Sequence, residues 1–142
     1  MPNWCQNELQ IFGPSEDLQR FKTAAVGGNT WPTAEPSDKE QPSVLSFHSL
    51  DPIPAEVLAA DYNQVGHPWE LAHWGCRWGS GDAVLVDESD DWLLYHFDTP
   101  WSQPVPFLKR LVPICFQDET YGASHVECRD MLDLRRGWFH LP

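Results

Sequence analysis

The order of the hydrophobic periodicities constrains the fold of this chain more than any other feature of its sequence. Residues 6–12 alternate, with Leu9 and Ile11 on one side and polar residues on the other, and this pattern predicts a half-buried strand. After Gly13-Pro14, Ser15 is the expected cap of a helix whose inner face carries Leu18, Phe21 and Ala25. The chain therefore begins as a strand followed by a helix.

The second half of the chain repeats these two periodicities. Residues 83–86 and 92–97 predict two strands joined by a polar turn, and residues 105–112 show the spacing of a second helix that Pro113 ends. Residues 114–119 alternate again and predict a last strand. The residues between the first helix and the hairpin, about fifty in number, are expected to form an insertion over 27–81. Its expected parts are a mobile Pro-rich loop over 28–42, a short strand at 44–47, a helical segment at 55–60 and an ordered Trp-rich connection at 69–81.

The resulting order of strand, helix, strand, strand, helix and strand predicts one α+β domain over residues 1–142. It is the order of the ferredoxin-like split β-α-β sandwich, in which a four-stranded antiparallel sheet carries two helices on one face. Residues 122–142 would form a C-terminal extension, either as an added edge strand or as a docked arm.

The charge of the chain limits the kinds of partner it can bind. The sequence has 9 Lys and Arg and 21 Asp and Glu, which gives a formal net charge of −12. Phosphate backbones would be repelled, so we expect no direct nucleic-acid binding and favour a partner with a basic protein surface. No apolar run of about 20 residues and no signal sequence are visible, which predicts a cytoplasmic protein without membrane association. The four cysteines are widely spaced and form no CxxC pair, so reduced thiols are expected.

Four short blocks of the sequence form a specific set. They are Pro2-Asn3-Trp4-Cys5 with Asn7, Leu9, Ile11 and Gly13; Phe47 with Leu50, Pro52 and Pro54; residues 73–78 leading to Asp82-Ala83; and residues 97–102 with Pro104. As a set they resemble the YubB-like family of plasmid- and phage-borne proteins, which is described as carrying a ferredoxin-like domain and for which no activity is established. The resemblance implies the same fold and a kinship with mobile genetic elements.

The tryptophans are the most unusual feature of the composition, with eight in 142 residues. One interpretation is an aromatic-walled pocket in which polar side chains accompany the indoles: His73, Trp74, Trp78, Asp82, Thr99 and Trp101. The other interpretation is that these indoles cover the hydrophobic core where the insertion packs on the sheet. We favour this second interpretation and expect Trp101 to be largely buried beneath the insertion.

Metal and acid-base sites are weaker candidates. His73 and Cys76 have HxxC spacing, as do His125 and Cys128, yet no further ligand pair accompanies them, so neither a metal nor another cofactor is expected. His96 and Asp98 share one face of a strand, a geometry compatible with acid-base chemistry but also with an ordinary strand end. No catalytic residue is assigned, and a non-enzymatic role is favoured.

Runs of acidic residues complete the inventory, and the hairpin turn carries Asp87, Glu88, Asp90 and Asp91. Each run suits a solvated turn, but together they could form an acidic interaction surface. The sequence thus favours a non-enzymatic acidic interaction protein that binds a basic surface of a host or defence protein, with self-association as a further alternative. The competing hypothesis is a small-molecule-binding or enzymatic domain that uses the Trp-rich pocket.

Overall fold

A computed structural model of the chain describes residues 3–28, 42–115, 123–130 and 136–139, with side chains described for 3–28 and 42–111. The elements in chain order are β1 (Trp4–Phe12), α1 (Ser15–Ala25), α2 (Phe47–Leu50), α3 (Ala55–Leu58), a π-helical turn (Tyr62–Gly66), α4 (His67–His73), β2 (Gly81–Glu88), β3 (Trp92–Pro100), α5 (Val105–Cys115), β4 (Ala123–Asp130) and β5 (Arg136–Phe139). The predicted α+β class is confirmed. Among the described residues, no helix has the length and hydrophobicity that crossing a membrane requires.

The sheet is antiparallel, with β1, β3 and β2 at one side and β4 and β5 extending it beyond β1, in the order β2-β3-β1-β4-β5. Within the described residues the sheet therefore has five strands, whereas the sequence predicted four. The predicted strand at 114–119 is also misplaced, because Ile114 and Cys115 belong to α5 and the next strand starts at Ala123. Residues 116–122 lie outside the described part of the chain.

Pro113 does not end α5, which continues to Cys115. A proline lacks only its own backbone N–H, so in the last turn of a helix its effect is small. Ile114 also continues the helical spacing of the apolar residues before it, since it follows Leu111 by three residues and Phe107 by seven. The alternation over residues 114–119 rests on Ile114 and Phe116 and was too short to distinguish the strand period from the helix period.

One face of the sheet carries the hydrophobic core. Along β1, every second residue is buried, including Leu9 and Ile11, as the alternation predicted. The predicted inner face of α1 is confirmed as well, since Leu18, Phe21 and Ala25 all join the core. Ser15 is not the cap, however, because it is the first helical residue and Pro14 precedes it without a side-chain hydrogen bond.

The insertion packs into the same core as α1 and α5. Phe47 stacks on Phe107 of α5 with ring centroids 3.8 Å apart, and the buried apolar residues of the insertion include Leu45, Leu50, Ile53, Val57 and Trp74. The predicted strand at 44–47 is wrong, because the Ser46 hydroxyl accepts a hydrogen bond from Ser49 N at 3.1 Å and caps α2. The helical segment near 55–60 is confirmed as α3. Most of the predicted mobile loop, 29–41, lies outside the described residues.

Candidate functional site

A cluster of aromatic rings surrounds the guanidinium of Arg77. Its Cζ atom lies 5.6 Å from the ring centroid of Tyr62, 5.1 Å from that of Trp78 and 5.9 Å from that of Trp101. The rings of Trp78 and Trp101 are 5.9 Å apart and tilted by 48°. These distances fall within the range of cation–π attraction. We call Tyr62, Glu70, Arg77, Trp78 and Trp101 the aromatic–arginine cluster.

Trp78 and Trp101 are exposed, and their backbones are held in an unusual conformation. Trp78 has φ 64° and Trp101 has φ 63°, the left-handed region that residues with a Cβ rarely adopt. Their exposed fractions are 41% and 53%. The expectation that Trp101 is largely buried is therefore wrong. The left-handed backbone costs about 1 kcal/mol at each of the two positions, and a large apolar side chain stays exposed to water at both.

The turn that presents Trp101 is fixed by a buried hydrogen-bond network. The Trp101 backbone N–H donates to Asn3 O at 2.7 Å, and the Thr99 hydroxyl donates to Ser102 O at 2.7 Å. Asn7 Nδ2 donates to Thr99 Oγ1 at 2.9 Å and to Cys5 O at 2.9 Å. Thr99 and Asn7 are both buried, so this network connects the start of β1 to the end of β3 and holds the turn in place.

Glu70 is the buried member of the aromatic–arginine cluster. Its carboxylate accepts hydrogen bonds from the Tyr62 hydroxyl, at 2.7 Å, and from the Trp78 backbone N–H. Glu70 is 1% exposed. Burial raises the pKa of Glu70 above its ordinary value, while the bonds from Tyr62 and Trp78 and the charge of Arg77 oppose that rise. This carboxylate connects α4, the π-helical turn and the Trp78 segment.

Two further carboxylates lie near the cluster, at the start of β2 and the end of β3. Gly81 pairs with Asp98 in the sheet, and Asp82 follows with φ 45°. Burial, and then the charge of Asp82, raise the pKa of Asp98. An ideal Cβ on Gly81 would lie 3.6 Å from the Trp4 ring, so the β2 backbone passes directly beside that indole.

The six residues of the predicted pocket do not share one site. Trp78, Asp82 and Trp101 lie at one end of the sheet, and Thr99 is buried in the network that supports it. Trp74 is instead a core residue, which contacts Phe47 edge-on at 5.7 Å and donates its indole N–H to Asp51 O at 3.3 Å. His73 stacks on Trp69 with centroids 4.2 Å apart. Residues that were grouped because they are close in sequence therefore lie in different parts of the structure: Trp74 is in the core, whereas Trp78 is at the end of the sheet.

The predicted acidic surface lies at the opposite end of the hairpin. Asp87, Glu88, Asp90 and Asp91 are all exposed. Glu88 forms an ion pair with Lys22 at 2.7 Å, and Asp87 Oδ1 accepts the Glu88 N–H at 2.8 Å. Part of this acidic turn therefore serves local structure.

The remaining candidates for acid-base, thiol or metal chemistry are His96, Cys76 and the possible metal ligands. Across the sheet, His96 Nε2 lies 2.8 Å from the Glu8 carboxylate, and both side chains are exposed. Cys76 is a buried free thiol whose pKa is raised by burial and by Glu70, which keeps it protonated and unreactive. Among the described residues, no three His, Cys, Asp or Glu side chains are grouped as a metal ion would require.

Cys5 is disulfide-bonded, so the expectation of four reduced thiols is wrong for this residue. It is buried on the inner side of β1, as its alternation with Asn7 indicated. A disulfide needs only that the fold bring two cysteines within reach, and sequence spacing does not report that distance.

Sequence reasoning missed three members of the cluster, Tyr62, Glu70 and Arg77. Arg77 and Glu70 are charged residues within an aromatic tract, and that contrast is the one signal that could have identified them.

No protein-family model, no curated protein and no solved structure matches the chain. The geometry of the cluster therefore carries the functional argument.

Proposed function

We propose that this protein is a non-enzymatic binding protein whose partner contacts the aromatic–arginine cluster. The observation that carries the proposal is the exposed pair of Trp78 and Trp101, which touch each other in left-handed backbone conformations. Trp, Tyr and Arg are the residue types that supply most of the binding energy at protein interfaces. Exposed apolar surface held at a conformational cost is typical of interaction sites.

The partner of this proposal is a protein with a basic surface. A formal net charge of −12 raises the rate of encounter with a cationic protein and disfavours nucleic acid. The exposed acidic turn at Asp87, Glu88, Asp90 and Asp91 adds to that field. The choice of a host or defence protein as the partner combines this charge with the kinship to mobile genetic elements that the resemblance to the YubB-like family implies.

We further infer a ferredoxin-like arrangement for the sheet with α1 and α5. The strand order β2-β3-β1-β4 supports it, because α1 and α5 each stand between strands that are not neighbours in the sheet. On this inference β5 is an additional edge strand. The insertion between α1 and β2 supplies Tyr62, Glu70, Arg77 and Trp78, and the scaffold supplies Trp101.

Site-specific photocrosslinking tests the proposed function. Trp101 is replaced by the photoreactive amino acid p-benzoylphenylalanine, and Val86 is replaced in a control, because Val86 is similarly exposed and lies toward the far end of β2. In a bacterial lysate we expect a discrete protein adduct from position 101 and none from position 86. Equal adducts from both positions, or none from position 101, would contradict the proposal.

A further inference from the structure

Three exposed indoles gather at one end of the sheet. Trp4 begins β1 and pairs with Pro100 at the end of β3, next to Trp101. The backbone N–H of Trp101 donates a hydrogen bond to Asn3 O, and the ring of Trp101 contacts that of Trp78. Trp4 is 37% exposed. Since the start of β2 lies beside Trp4, all three indoles border the same surface.

Among the residues whose side chains are described, two carboxylates on this surface have no cationic partner. Neither Asp82 nor Asp98 forms an ion pair with any Lys, Arg or His whose side chain is described. The nearby guanidinium of Arg77 already faces the buried Glu70 carboxylate, which acts on it through space. Among the described side chains, the cluster and its border therefore hold three carboxylates against one guanidinium, which leaves an excess of negative charge beside the indole rings. We call Trp4, Trp78, Asp82, Asp98 and Trp101 the sheet-end surface.

We infer that the sheet-end surface binds an arginine or lysine side chain of a protein partner. Asp82 and Asp98 supply the negative charge that pairs with such a side chain, and the exposed indole of Trp4 supplies a cation–π contact. The rings of Trp78 and Trp101 already contact Arg77, and their exposed parts supply apolar contacts. Charge complementarity favours this occupant, because a carboxylate or phosphate would meet two aspartates that form no ion pair with any described side chain. The inference rests on the proposed function and adds the chemistry of the contact and its location, away from the acidic turn.

The test uses a blocked arginine hexapeptide as the probe and the intact protein as its target. The indole N–H resonances of the ¹⁵N-labelled protein are assigned with single Trp→Phe variants and followed by NMR during titration. We expect the peptide to shift the resonances of Trp4, Trp78 and Trp101 and not that of the buried Trp74. A hexapeptide of citrulline, which keeps the shape and loses the charge, is expected to leave all four unshifted.

Two double variants with equal charge changes separate a specific site from general attraction. Asp82→Asn with Asp98→Asn is expected to weaken binding of the arginine peptide about tenfold, since bonds to charged groups are the strong ones. Asp87→Asn with Asp90→Asn removes the same charge from the acidic turn and is expected to change the dissociation constant less than about twofold. Asparagine tolerates the left-handed backbone at position 82, so the fold should persist, and circular dichroism checks it.

Several results would overturn the inference. Equal weakening by both double variants would show that only net charge matters, and binding of the citrulline peptide, or no indole shift with the arginine peptide, would remove the cationic contact. Oligothymidylate shifting the same indoles would indicate nucleic acid as the occupant. If crosslinking from position 101 persists unchanged in the Asp82→Asn/Asp98→Asn variant, the inference fails while the proposed function stands.

Discussion

The indole rings of Trp78 and Trp101 lie with their centroids 5.9 Å apart, and each residue has a positive φ, 64° and 63°. The two residues belong to different connections, one between α4 and β2 and the other between β3 and α5. Their contact therefore depends on the Glu70 bonds on one side and the Asn7–Thr99 network on the other. The cluster is a surface that two separate buried polar networks support.

The two tryptophans Trp74 and Trp101 should respond oppositely to truncation. Trp74→Ala removes a fully buried indole and is expected to lower the free energy of unfolding by about 3–5 kcal/mol. Trp101→Ala removes a side chain that is half exposed and should cost no more than about 1 kcal/mol. Urea unfolding followed by circular dichroism measures both. A loss at Trp101 as large as that at Trp74 would mean that Trp101 is a core residue.

The Thr99 hydroxyl should be worth more than its size implies. Thr99→Val keeps the shape but leaves Asn7 Nδ2 and Ser102 O without this partner, and we expect a loss of about 1–3 kcal/mol in stability. Thr99→Ser retains the hydroxyl and should lose much less. Thr23→Val is the matched control, because the Thr23 hydroxyl is exposed and bonds only to Gln19 O within its own helix. Similar losses at positions 99 and 23 would argue against the buried network.

Glu70 should give the protein a measurable pH dependence of stability. Because burial raises the pKa of folded Glu70 above 4.5, the folded state holds this proton more tightly than the unfolded state does. That contribution to stability is fully present below pH 4.5 and is lost as pH rises through the folded pKa. The free energy of unfolding of the wild type minus that of Glu70→Gln should therefore decrease as pH increases.

Urea unfolding of both proteins from about pH 4 to about pH 8 measures this difference. Burial also raises the pKa values of Asp51 and Asp98, but both residues are present in each protein, so their effects cancel in the comparison. A difference that grows with pH would mean that the bonds from Tyr62 and Trp78 outweigh burial and that Glu70 titrates below its ordinary value.

Cysteine labelling should distinguish Cys5 from Cys76. In denaturant without reductant, an alkylating reagent should modify Cys76 and not Cys5, since Cys76 is a free thiol and Cys5 is disulfide-bonded. In the native protein, by contrast, Cys76 should not react with the alkylating reagent, because it is buried and its pKa is raised. Peptide mass spectrometry reads both outcomes. Modification of Cys5 without reductant would mean that Cys5 is a free thiol and would contradict the disulfide.

The sequence predicted the elements whose pattern is long and one-sided. β1, α1 and the β2–β3 hairpin each present a clear face to the core, so their periodicities are legible. Residues 69–81 matched no template because helix α4 is only seven residues long and is followed by left-handed turns. The last strand was predicted at the wrong residues because the alternation over 114–119 is too short to distinguish a strand from the continuation of helix α5.

The candidate site was partly visible in the sequence. Trp78, Asp82 and Trp101 were identified from an unusual concentration of indoles, and the sheet register brings them to one end. Trp74 was grouped with them because it is near in sequence, although its side chain points into the core. The contact between Tyr62 and Glu70 could not be predicted, since it joins the π-helical turn to α4 and depends on how the insertion folds back.

The dissociation constant of the crosslinked partner is the measurement that tests the central claim most directly. It is compared for wild type, for Trp78→Ala/Trp101→Ala, and for Val84→Ala/Val86→Ala, a control pair of exposed apolar residues on the open sheet face. Loss of the two indoles is predicted to weaken binding about thirtyfold or more, and loss of the two valines less than about threefold. Binding that tolerates the loss of both tryptophans, or that depends equally on the valines, would contradict the account.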